Sequence, residues 1–138
     1  MGQGRPWLAL VLAALFVAAC GKSGEKKIAT VPVKGKVVFV KGGDVKVLAS
    51  RQARIEFQSV DQPGLRAVGP IEEDGSFTVA TVAEGAGGEG LVAGTHRVRL
   101  DLDDRDVNLV APQFLDFAKS GLTVKVPSEQ PLEIKVFR

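Results

Sequence analysis

Arg97-Val98-Arg99-Leu100-Asp101-Leu102 decides the fold: apolar side chains at 98, 100 and 102 alternate with charged ones at 97, 99 and 101. Alternation with period two is what a strand needs when one face is buried and the other is wet. Outward from this stretch the pattern repeats. Ala53, Ile55 and Phe57 alternate with Arg54, Glu56 and Gln58, and Val33, Val37 and Phe39 share a face opposite Lys34 and Lys36. Phe77 and Val79 alternate with Thr78 and Ala80. Leu122, Val124 and Val126 alternate with Thr123 and Lys125, and Leu132, Ile134 and Val136 with Glu133 and Lys135. Leu65, Ala67 and Val68 form a weaker run that ends before Asp74-Gly75, a turn signal. Lys41-Gly42-Gly43-Asp44 reads as a hairpin turn, because paired glycines accept the positive φ that such turns require. After residue 20 no comparable run has helical i, i+3, i+4 spacing. About seven short strands with one apolar face each predict an all-β fold, two antiparallel sheets packed as a β-sandwich.

Composition narrows the chemistry. The chain has 138 residues with 18 basic against 16 acidic side chains, and one histidine and one cysteine. Such a balance does not supply the strongly basic face that nucleic acid asks for. A single cysteine allows no internal disulfide, so stability must come from packing. The basic residues are unevenly placed: nine lie between Lys22 and Arg54, against the acidic pair Glu25 and Asp44. They read either as contacts to lipid phosphates or as solubilising charges on a tether and on strand edges.

The N-terminal segment has the order of an export signal. Arg5 is followed by thirteen residues without a charged or polar side chain, Trp7 to Ala19. A spanning helix needs about 20 apolar residues, more than this run provides. Leu15-Phe16-Val17-Ala18-Ala19-Cys20 resembles the lipobox of bacterial lipoproteins. That resemblance implies cleavage between Ala19 and Cys20, a lipid on Cys20, and a lasting anchor through several acyl chains. The organisation expected is a signal peptide over 1–19, lipidated Cys20 with a flexible tether over 20–30, and a β-sandwich domain over 31–138. The tether, rich in Gly and Lys, spans roughly 15–20 Å as a coil. Gly21 follows the cysteine, not the aspartate associated with inner-membrane retention, which favours the outer membrane.

A second resemblance rests on motifs in order: Lys34-Gly-Lys-Val-Val-Phe39, Ala53-Arg-Ile-Glu-Phe57, Asp74-Gly-Ser-Phe77, Gly88-Glu-Gly90, Ala93-Gly-Thr-His-Arg-Val98, Ala111-Pro-Gln-Phe114 and Ser120-Gly-Leu-Thr-Val124. Together they resemble the small lipoproteins, abundant in planctomycete-type bacteria, with a carboxypeptidase regulatory-like or transthyretin-like domain. The resemblance implies an Ig-like, prealbumin-like sandwich and brings no catalytic residues with it. The chain departs from the family at His96, where an aromatic residue is usual, and over Val45–Gln52, which lacks the usual proline.

Few stretches invite chemistry. Asp101, Asp103, Asp104, Asp106 and Asn108 are the candidate cation ligands, since calcium takes six or more oxygens. The spacing lacks the central glycine and closing glutamate of a calcium loop, so a solvated strand end is the competing reading. Gly85-Ala-Gly87-Gly-Glu-Gly90 satisfies G-x-G-x-x-G, but a phosphate cradle needs a helix to follow and a strand follows here. It reads as a mobile connection. His96, in phase with Val98, is expected to face inward, and zinc would need further N or S ligands. Ser76 and Ser120 have only that histidine as a base and no nucleophile-elbow motif. The expectation is a lipid-anchored, non-enzymatic envelope protein with no cofactor, touching a protein or envelope polymer through the loops Thr81–Gly94 and Asp103–Ser120. Cation or small-ligand binding at 101–108 is the alternative.

Overall fold

The structure, a computed structural model, describes residues 28–83 and 86–138. The apolar run, the cleavage site at Ala19 and Cys20, and the tether before Ile28 lie outside the described residues. Among the described residues the order is β1 (Lys34–Lys41), α1 (Val45–Ser50), β2 (Arg54–Ser59), β3 (Arg66–Pro70), β4 (Ser76–Thr78), β5 (Ala80–Ala83), β6 (Ala86–Glu89), β7 (Gly94–Asp101), β8 (Thr123–Val126) and β9 (Leu132–Phe137). They form a three-stranded sheet, β4-β1-β9, and a six-stranded sheet, β6-β5-β3-β2-β7-β8. The protein is an all-β sandwich.

Alternation sorts the side chains as expected. Ile55 and Phe57 of β2, Val98 and Leu100 of β7, Val37 of β1 and Ile134 and Val136 of β9 are all fully buried in one core. Each such side chain removed from water contributes about 1.5–3 kcal/mol. Phe77 of β4 lies over Gly35 of β1, its registered partner, where any Cβ would strike the ring. Asp74-Gly75 makes the expected turn: the Asp74 carboxylate accepts from the Ser76 N–H (2.9 Å) and hydroxyl (2.6 Å), and Gly75 takes φ +86°. These bonds from Ser76 hold the Asp74 carboxyl below its ordinary range.

Three expectations are corrected. Lys41–Asp44 is not a hairpin: β1 and β2 belong to different sheets, and the chain crosses between them through α1. Asp44 caps that helix, its carboxylate accepting from Lys46 N at 2.9 Å, and Leu48 is driven fully into the core. The sheets are not wholly antiparallel, because β9 returns beside β1 in parallel, with Val37 opposite Ile134. The run Phe77–Ala80 is two strands: β4 pairs with β1 and β5 pairs with β3, and the chain changes sheets at Val79. Gly69 permits that crossing, since a Cβ there would overlap the Thr78 carbonyl.

Candidate functional site

The acidic stretch begins at the end of β7. Register places Asp101 opposite Arg54 on β2, and the two form an ion pair. Past the strand, Asp103 accepts from both the backbone N–H and the Nε–H of Arg105, each at 3.1 Å. Those bonds hold the Asp103 carboxyl below its usual range. Arg51, at the end of α1, stands 3.6 Å from Asp106. Asn108 sits exposed in a turn of 3₁₀ helix, Val107–Leu109. Three of the four carboxylates therefore face guanidinium groups, and among the described residues no three His, Cys, Asp or Glu side chains gather to hold a metal ion.

Beside these pairs is an open groove of about 760 Å³, lined by the end of α1, the β3–β4 turn and the end of β7. Arg51, Arg54, Glu72, Glu73, Asp101 and Asp103 give it both signs of charge. Internal cations are already present, so a divalent ion would have to displace arginines to collect oxygens. Melting curves recorded in calcium and in chelator are accordingly expected to superimpose. An upward shift in calcium, abolished by Asp103→Asn with Asp104→Asn, would restore the cation reading.

His96 does face inward. Its Nε2–H donates to the Val92 carbonyl at 2.7 Å, its ring meets Phe57 edge-on, and Nδ1 is buried without a partner among the described residues. The imidazole ties the start of β7 to the chain before it, and solvent does not reach it. Ser120 is likewise structural, since its hydroxyl donates to Val98 O (2.6 Å) and accepts from Leu122 N (3.1 Å). Ser76 serves the Asp74 turn. These groups are spread over separate parts of the fold and assemble no nucleophile–base pair.

The glycine-rich motif has a different use from the expected mobile connection. Ala86–Glu89 is strand β6, paired antiparallel with β5, and it forms one edge of the larger sheet. The chain from Ile28 to Val31 runs along this edge. Val31 bridges Leu91 through two hydrogen bonds (2.7 and 2.9 Å), and Thr30 packs so closely on Gly88 that a Cβ would stand 2.9 Å from its Oγ1. Gly90, at φ +87°, accommodates the Val31 backbone. Thr30, expected in the tether, is thus packed on the sheet. The spacing of glycines is the only sequence signal for this seam, and it reads equally well as a loop.

The expected loop Thr81–Gly94 is thus mostly strand. Asp103–Ser120 is also more tightly packed than a free loop, since Val110 and Phe114 are buried and Ala111 N donates to Phe137 O at 2.9 Å. Comparison of the chain with protein-family models, curated proteins and solved structures found no match.

Proposed function

We propose that the chain is a lipid-anchored, non-enzymatic protein of the bacterial cell envelope, held through acyl chains on Cys20 and facing the periplasm or the cell exterior. The observation that carries this reading is the lipobox-like run Leu15–Cys20, which ends only eight residues before Ile28 and the edge of the sandwich. Gly21 favours the outer membrane. The motif order that resembles the carboxypeptidase regulatory-like lipoproteins supports the same assignment. A non-catalytic role is supported by what the reactive side chains do: His96, Ser76 and Ser120 are each engaged in holding the fold.

The partner-facing end is the one remote from the tether. Val31 meets Leu91 just before β7 starts, while Asp103–Arg105 follow its last residue, so a strand of about 25 Å separates them. Contact with an envelope protein or polymer takes place at that exposed turn and the adjoining groove. Fatty-acid labelling in cells tests the anchor: the native protein takes up labelled palmitate, and Cys20→Ser takes up none and keeps its signal uncut. Equal labelling and processing of the two would remove the reading.

A further inference from the structure

The outward face of the six-stranded sheet is basic in a way that the described residues as a whole are not. Together those residues carry 14 basic and 14 acidic side chains. On β3, β2, β7 and β8, however, the outward positions hold Arg54, Arg66, Arg97, Arg99 and Lys125 against Glu56 and Asp101. Both acids are already paired, Asp101 with Arg54 and Glu56 with Arg99 at 2.8 Å. The remaining outward acid is Glu89, on the far edge strand β6. Arg66, Arg97 and Lys125 have no carboxylate partner among the described residues.

Apolar side chains sit among these cations. The Phe117 ring lies between the Arg66 and Arg99 guanidinium groups, 5.5 and 4.9 Å from its centroid. Val82, opposite Arg66 in the β3–β5 ladder, is 56% exposed. Phe117 is half-buried and Val82 exposed, and unpaired cations set among apolar groups that solvent reaches are the composition of a surface that settles at a lipid headgroup layer.

We propose that this face lies on an anionic lipid surface, with Arg66, Arg97 and Lys125 receiving headgroup phosphates and Phe117 and Val82 entering the interface. The inference rests on the anchored reading, and the tether's length argues for it. The chain runs along β6, an edge of this same sheet, and the eight residues from Cys20 to Ile28 reach at most about 29 Å. Six strands span roughly 24 Å. A face held that close meets the headgroups at high effective concentration, so a weak intrinsic affinity suffices. The three-stranded sheet and the turn after β7 are then left free for a partner.

The test uses the chain from Gly21 to Arg138, which retains every core residue and lacks the lipidated cysteine. It is expected to co-sediment with phosphatidylcholine vesicles that contain phosphatidylglycerol and not with phosphatidylcholine alone. Added salt releases it. Arg66→Gln with Arg97→Gln and Lys125→Gln is expected to weaken binding about a hundredfold at an unchanged melting temperature. Single Arg97→Gln, on an exposed side chain, gives a smaller loss and guards against misfolding of the triple variant. No binding to the anionic vesicles, equal binding to both kinds, or undiminished binding by the triple variant overturns the proposal. Binding to soluble polyphosphate without binding to vesicles overturns it in favour of a polymer partner. Because Cys20 is absent from this experiment, none of these failures touches the acylation itself.

Discussion

Phe57→Ala is expected to lower the free energy of unfolding by about 3–5 kcal/mol. Domains of this kind are stable by only about 5–15 kcal/mol in total, so the variant sits near the edge of folding at growth temperature. Phe57 is fully buried on β2, the central strand between β3 and β7. Its ring stands 5.7 Å from Phe77, which reaches across from the smaller sheet, and it receives the edge of His96. Truncation therefore loses the contact that joins the two layers and opens a cavity that β-sheet backbone cannot easily fill. Denaturant titration of the chain from Gly21 measures it. Val82→Ala on the exposed face is the control, expected within about 0.5 kcal/mol of the parent. A Phe57→Ala loss of under about 1 kcal/mol would mean that the core is centred elsewhere.

Gly90→Ala is expected to cost about 2–5 kcal/mol and to loosen the entry of the chain. Alanine at φ +87° carries about 1–2 kcal/mol of backbone strain. Its Cβ would also overlap the Val31 carbonyl, forcing apart the two hydrogen bonds between Val31 and Leu91, each worth about 0.5–1.5 kcal/mol. Gly90 cannot swing away freely, because its N–H donates to Val79 O at 2.8 Å and its carbonyl accepts the Thr81 hydroxyl at 2.7 Å. Limited proteolysis should then cut near Thr30–Val33, where the parent is protected. Gly64→Ala, with no neighbour within 4 Å and an ordinary φ, is expected to behave as the parent. If Gly90→Ala resists protease as the parent does, the seam between Val31 and Leu91 is not a fixed part of the fold.

Much of the sandwich is legible in the sequence because period-two alternation is a local property. Ile55, Phe57, Val98, Leu100, Ile134 and Val136 face inward as their spacing demands. What alternation cannot state is which strand lies beside which. The parallel return of β9 along β1 and the division of Phe77–Ala80 between two sheets are both long-range choices. Helix α1 has only six residues, too few for a period of 3.6 to declare itself. Gly42-Gly43 then imitates a hairpin where Asp44 begins a cap.

The same limit governs the candidate surfaces. The carboxylates from Asp101 to Asp106 are visible in the sequence, but the arginines facing two of them, Arg51 and Arg54, come from 47 or more residues away. The basic sheet face is hidden for the same reason: Arg66, Arg97 and Lys125 meet only once β3, β2, β7 and β8 are placed side by side. The inward orientation of His96, by contrast, is legible, because the alternation through Val98 fixes its phase.

Acylation at a single sulfur is the claim on which place and role both depend, and intact mass measurement of the mature protein from membranes tests it most directly. The account predicts a chain beginning at Cys20 whose mass exceeds that of the polypeptide by a thioether-linked diacylglyceryl group (a diacylglycerol less one water), with or without a further amide-linked acyl group. A mature chain beginning elsewhere, or one beginning at Cys20 with a free thiol, would contradict it.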